Sequence, residues 1–406
     1  MHFDIHFRDD FANKLKNVVN EIYSWNISDN YSLTEIDQLS CFVQGFEHCA
    51  VPDHRFLIGG ADGSGDFPCV CYGDTVVYLV TAMARLYVAT PTGLSEQRTA
   101  LEDMVNILWL PEDKRKARTQ YLDFFSQLIG EPLEKICEKS DYFLLTELHG
   151  GGVPSPLDLI DKLITPPAHE SSNISIQLLN TAEVGALIRL MRYLESVQKE
   201  DIPIYLLEDT TMSLPLVTSK SALFFEIAKR YACTLGRDNG VIYSTLSKSH
   251  NMPHMDLIED MVKEIVPSGE HWFMRLPVEQ VGEKSPSFLG TRTIPPIGAV
   301  TYLFKLHKNT QPMRLDLDYE YWIKNIWNDD KTLMSAREIQ IFRDLDFASH
   351  DQRCYGYPYP IKACHDMVSL TNGERVALRK QIIDEAVKAG LKRKNFVDPS
   401  ILTGHA

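Results

Sequence analysis

Four short stretches of this chain end in side chains suited to handling a charged substrate. In IGGADGSGDF, spanning 58–67, a short apolar run gives way to glycines and to Asp62. IYLLEDTT, spanning 204–211, runs from apolar residues straight into Glu208 and Asp209. GVIYSTLSKSHNMPH carries a strand-like run into Lys248 and His250, and YGYPYPIKACHDMVSL sets His365 behind the stiffening prolines Pro358 and Pro360.

Carboxylates just past the carboxyl ends of strands stand where open α/β sheets bind ligands, and glycines there let a ligand approach the backbone. Side chains alternate along a strand, so Glu208 and Asp209 face opposite ways and one of them joins the site; Asp209 is the first choice and Glu208 the second. A lysine beside such carboxylates neutralises phosphate. A histidine held near them serves as a general acid or as a neighbour of a metal ion. Each stretch also has a plainer reading. Asp62-Gly63 is then a turn, Asp209 a helix-capping acid, Lys248 a surface charge and His365 a satisfied structural residue.

The elements that would position these groups follow from hydrophobic spacing. Phe11, Leu15, Val18, Val19 and Ile22 recur at helical intervals, which predicts an amphipathic helix within 9–26. A short strand is expected at 56–58, with the glycine run after it as its terminus, and Asp66 as a loop residue. CVCYGDTVVYLVTAMARLYVA, 69–89, predicts a β-hairpin turning at Gly73-Asp74. From 95 to 148 the pattern reads as helical through LEDMVNILWL, YLDFFSQLIG and YFLLTEL, and 150–173 gathers the glycine, proline and serine of a loop. Helix and strand then alternate from TAEVGALIRLMRYLESV to MDLIEDMVKEIV, the pattern of a sheet covered by helices. Strand-like runs at HWFMRL, GAVTYLFKL and PMRLDL follow, then helices near 335–349 and 372–389, with His365 opening a helix between them. The expected organisation is an N-terminal helical segment (1–50), an α/β core of mixed sheet (51–90 and 174–390) and a helical insertion with linker (91–173).

The totals exclude some classes and leave others open. The chain has 406 residues, long enough to bury a sizeable core, and no run of about 18 apolar residues that would span a membrane. Its start, MHFDIHFRDDF, lacks the basic and apolar regions of a signal peptide, so the expected location is the cytoplasm, with no membrane partner. The eight cysteines show no CxxC pair and no finger-like Cys/His spacing, which argues against a zinc site and for reduced thiols. With 55 acidic residues against 41 basic ones, the net charge of −14 argues against a surface that binds nucleic acid everywhere. A local basic channel stays open; Arg85, Lys114, Arg115, Lys229, Arg230 and Arg314 are its candidates.

The order of the motifs is more informative than any one of them. ADGSG, a helix with an early glutamate, LLEDTT, STLSKS and YGYPYPIKACH, arriving in that sequence between about 54 and 375, resemble the NurA family of nucleases. The resemblance implies an RNase H-like core, a homodimer, and partnership with a hexameric HerA-type ATPase that feeds DNA to the nuclease. It places the family's first aspartate on Asp62, its helix glutamate on Glu183 (with Glu195 as the competing position), its second aspartate on Asp209, its lysine on Lys248 and its late histidine on His365. Asp62, Glu183 and Asp209 would then hold Mn²⁺ or Mg²⁺, with Asp62 bridging. The family usually carries Asp-Gly where this chain has Asp209-Thr210. Two settings fit such a nuclease, DNA-end processing and antiviral defence. Two other readings are a catalytically weak or inactive scaffold for a translocase and an RNase H-like nuclease of unrelated biology.

Overall fold

The computed structural model describes residues 11–21, 38–137, 172–197, 201–212, 223–250, 255–276, 299–327 and 335–397. The predicted helical run YFLLTEL and most of the glycine-, proline- and serine-rich segment lie outside the described residues.

Residues 57–90 form two long antiparallel strands, β2 (Leu57–Tyr72) and β3 (Thr75–Thr90), joined at Gly73-Asp74, with Gly73 at φ 55°. β1 (Val43–Gly45) precedes them; β4 (Gly93–Gln97) and β5 (Met104–Leu110) follow and both pair with β3. Helix α1 (Lys114–Ile129) is capped by Asp113, which accepts from the amides of Arg115 and Lys116. Next come α2 (Ser172–Val197), β6 (Ile204–Glu208), α3 (Leu223–Asp238), β7 (Ile242–Ser247), α4 (Met255–Ile265) and β8 (Trp272–Arg275). The described chain ends through β9 (Ala299–Lys305), β10 (Met313–Asp318), α5 (Tyr319–Asn325), α6 (Ala336–Ala348), α7 (Tyr359–Val368), α8 (Asn372–Lys388) and β11 (Phe396–Val397).

All eleven strands of the described residues join one sheet in the order β1-β8-β9-β10-β7-β6-β2-β3-β4, with β5 on β3 and β11 on β2. The pairs β2–β6 and β6–β7 are parallel and every other pair is antiparallel, so the mixed α/β sheet flanked by helices holds. One face is covered by α1, α2 and α3, the other by α6 and α7. No helix of the described residues is long and apolar enough to cross a membrane.

Three local expectations are corrected. IGGADGSGDF is not a strand terminus but the middle of β2, paired residue for residue with β3 from Leu57↔Val88 to Asp66↔Leu79. Its glycines serve close packing: a side chain at Gly60 would stand 2.6 Å from the backbone nitrogen of Ile361 in α7. Asp66 is accordingly a buried strand residue, clasped by the Arg379 guanidinium of α8 at 2.5 and 2.7 Å. LEDMVNILWL contains a strand in place of a helix, so residues 93–110 extend the sheet.

Candidate active site

β6 stops at Glu208 while its parallel neighbour β2 runs on to Tyr72, and the register Ala61↔Glu208 brings Asp62 level with that stop. The sheet opens there beside β2. Asp62 is 7% exposed; its Oδ1 accepts from the Gly63 amide at 2.8 Å and its Oδ2 lies 2.7 Å from His365 Nδ1. Burial pushes its pKa up, the Gly63 amide and His365 pull it back, and Asp209 adds to the upward push. His365 lies in the last turn of α7, not at its start as the sequence suggested, and half its side chain is exposed.

Glu208 and Asp209 face opposite ways, as alternation requires. Glu208 is fully buried on the α2/α3 side, where Tyr243 Oη donates to its Oε2 and Lys229 Nζ stands 3.7 Å from its Oε1. Burial raises its pKa, and Lys229 and the Tyr243 hydrogen bond oppose that rise. Lys229 also donates to Thr211 O at 2.7 Å and Thr210 Oγ1 at 3.3 Å, which pins the chain immediately after Asp209. Asp209 takes Lys248 Nζ at 3.3 Å. Lys248 in turn stacks 3.9 Å over the ring of Tyr357, whose buried hydroxyl faces Asp209 without closing a hydrogen bond.

Glu183 enters from α2. A Cβ at Gly63 would lie 3.0 Å from both Cγ and Oε1 of Glu183, so the glycine after Asp62 makes room for this carboxylate. Glu183 is buried and its pKa is pushed well above the usual range, first by burial, then by Glu208, Asp62 and Asp209, with Lys229 acting the other way. Glu195, the competing position, is exposed near the end of the same helix.

The fold thus brings Asp62, Glu183, Asp209, Lys248 and His365 to one opening, from two faces of the sheet. Sequence reasoning missed Lys229, Tyr243 and Tyr357; the first was read as a channel residue, and the tyrosines lay inside quoted motifs without a role. Of the other channel candidates, Arg230 is buried and bonded to the Ile136 carbonyl, Arg85 pairs with Asp103, and Arg314 with Asp316.

The donor set of Asp62, Glu183 and Asp209 is one of hard carboxylate oxygens, which suits Mg²⁺ or Mn²⁺. Asp62, Glu183 and Asp209 do not, however, bring one oxygen each within 4.8 Å of one another. Among the described residues only His48, His271 and Asp346 form such a group.

No family model matches the chain, and no curated protein matches it in sequence. Among solved structures it is similar to the NurA nuclease from Sulfolobus solfataricus, at 15% identity and TM-score 0.43, over 94% of this chain and 98% of that one. It is similar to a NurA structure with manganese at 11% identity and TM-score 0.39, over 95% and 99%, and to a further NurA structure at 10% and 0.39, over 97% and 99%.

Proposed function

We propose that this chain is a metal-dependent deoxyribonuclease of the NurA type, with an RNase H-like arrangement of β2, β6 and β7. The observation that carries the reading is the gathering of three acids at one opening, two of them buried: Asp62 on β2, Glu183 reaching from α2 to the glycine after it, and Asp209 just past the end of β6. Burying carboxylates near one another is costly even with His365 on Asp62 and Lys248 on Asp209, and a cation shared between them offsets that cost. The resemblance of the motifs, in order, adds to this reading.

Asp62, Glu183 and Asp209 would hold Mn²⁺ or Mg²⁺. When bound, such ions stabilise the charge that develops on the attacking and leaving oxygens of a phosphodiester and acidify a water molecule. The chain's own groups do the rest. Lys248, fixed by Asp209 and by the Tyr357 ring, meets a phosphate of the DNA. His365, oriented through Nδ1 by Asp62, presents an exposed imidazole able to give a proton to the leaving oxygen. Tyr243 and Lys229 hold Glu208, and with it the end of β6, in place.

A homodimer working with a HerA-type hexameric ATPase in the cytoplasm, in DNA-end processing or antiviral defence, completes the proposal. Exposed apolar side chains give such contacts a place: Phe11, Leu15, Val18 and Val19 on the helix at 11–21, and Val105 and Ile107 on β5. The second reading, an inactive scaffold subunit, draws on the spread of the three carboxylates and on Asp209-Thr210 in place of Asp-Gly.

The test is degradation of linear DNA by the purified protein in Mn²⁺. The Asp62→Asn variant should lose at least about 1,000-fold in rate, the scale of removing a member of a catalytic unit, while keeping its melting temperature. Equal rates in both proteins would overturn the site. Absence of any metal-dependent cleavage, with folded protein and a copurifying ATPase, would favour the scaffold.

A further inference from the structure

A second cluster lies at the other side of the sheet, where β9, β10, β7 and β6 separate β8 from β2. His48 follows β1, His271 immediately precedes β8, and Asp346 stands near the end of α6. One nitrogen from each histidine and one oxygen of Asp346 fall within 4.8 Å of one another.

The carboxylate is divided between the two rings. Asp346 Oδ2 lies 2.8 Å from His48 Nδ1 and accepts from the Cys49 amide at 2.7 Å. Asp346 Oδ1 faces His271 Nδ1 at 3.3 Å, yet both atoms are buried without a hydrogen bond. Asp346 itself is 0% exposed, so this carboxylate oxygen lies deep in the protein, at ion-pairing distance from an imidazole nitrogen. Ligand atoms bound at about 2.0–2.1 Å around a tetrahedral ion lie about 3.3–3.4 Å apart, which is the separation this pair shows.

The backbone supplies an independent sign. His271 has φ 56°, and among the described residues it is the only non-glycine with positive φ. That conformation is held by the Phe46 amide, which donates to the His271 carbonyl at 2.9 Å, and by the Phe46 ring, edge-on at 6.0 Å. Strain of this kind persists where the surroundings over-determine it, and it clusters at ligand sites. It turns the imidazole toward Asp346. His350, four residues beyond Asp346, packs its ring against that of His48 with centroids 3.9 Å apart.

We infer that His48, His271 and Asp346 form a second cation site, for a borderline divalent transition ion of the Zn²⁺ class. Two imidazoles with one carboxylate prefer such an ion over Mg²⁺ or Ca²⁺, in contrast to the all-carboxylate cluster at Asp62. Binding displaces whatever proton each Nδ1 carries, and each proton leaves to solvent. The ion ties together the segment after β1, the entry to β8 and the end of α6. It is a clamp on the β1–β8 edge, and it stands or falls independently of any nuclease activity.

Full-length protein stripped with a chelator and dialysed is titrated with Zn²⁺ against a chromogenic competitor. One Zn²⁺ per chain should bind in wild type and equally in Asp62→Asn, which separates this ion from any at the carboxylate cluster. His48→Ala and His271→Asn, the latter chosen because asparagine tolerates positive φ, should each bind that ion at least about 100-fold more weakly. Wild-type crystals soaked in Zn²⁺ should show an anomalous peak bounded by the three side chains, a readout that needs no variant. Unchanged affinity in both histidine variants, or no peak there at saturating Zn²⁺, would overturn the inference.

Discussion

The imidazole of His365 stands 2.7 Å from the carboxylate of Asp62, although 303 residues separate them in sequence. The contact depends on a glycine two residues before the acid. Because Gly60 has no side chain, α7 lies directly on β2, with Cys364 Sγ donating to the Gly60 carbonyl at 3.2 Å. The next turn of the helix then carries His365 over Asp62.

Glu183 makes the metal-free protein sensitive to pH. Its folded-state pKa is raised well above the usual 4.5, so the charged form is disfavoured by folding. Its contribution to stability is therefore complete below about pH 4.5 and is lost as pH rises through the folded value. Melting temperature in chelator should fall from weakly acidic to alkaline pH, and Glu183→Gln should flatten that slope. Added Mn²⁺ should raise the melting temperature most at the alkaline end, since it binds the ionised form. A slope identical in wild type and Glu183→Gln would exclude this residue as the source.

Gly63→Ala should damage the site without touching any acid. The new methyl would meet Leu179 Cδ1 at 2.8 Å and Glu183 at 3.0 Å. Overpacking of this kind costs about 1–3 kcal/mol in stability, readable by denaturant melts. Nuclease rate should fall by more than that loss of folded protein explains, because Glu183 is the group displaced.

Lys248→Met keeps an unbranched chain over the Tyr357 ring and removes the charge. DNA affinity should fall, and the slope of log affinity against log salt should decrease by about one unit for the single lost phosphate contact. An unchanged slope would show that Lys248 serves Asp209 alone.

The ion pair of Arg275 with Glu338, at 2.6 Å and almost wholly buried, joins β8 to the start of α6. Glu338 also accepts from Tyr302 at 2.7 Å and closes the capping box with Ser335. Arg275→Met would leave that carboxylate buried without its cation, at a cost of about 3–5 kcal/mol. Chemical denaturation should show a lowered midpoint, with Zn²⁺ recovering part of it by holding the same edge.

Most of the candidate site was legible because its residues sit at changes of pattern. Asp209 and Lys248 follow uninterrupted apolar runs, and Glu183 lies early in a strongly apolar helix. Glu183 and Glu195 both occupy α2, and the sequence has no spacing that foretells the burial of the first and the exposure of the second. The glycines around Asp62 looked like a terminus because a glycine-rich strand has the composition of a turn; pairing along the whole of β3 is what overrides it. β5 was hidden for a different reason. In Met104–Leu110 the outward residues Val105 and Ile107 are as apolar as the buried Met104 and Leu108, so alternation of burial leaves no alternation of polarity. His48, His271 and Asp346 have no spacing to read, and a search tuned to cysteine pairs passes over them.

β2 is held at both ends of its life in the chain. Asp62 emerges early, yet the residues that seat its strand come from far downstream: His365 on Asp62, Arg379 on Asp66, and β11 paired to Tyr72 and Cys71. Contacts of such long sequence separation carry a large loop-closure entropy and need the downstream residues to be present. During synthesis, a growing chain exposes Asp62, Glu183 and Asp209 while still lacking His365 and the helix that packs over β2. The proposed nuclease is therefore assembled only once nearly the whole described chain has left the ribosome, and an interrupted translation product carries the acids without the means to use them.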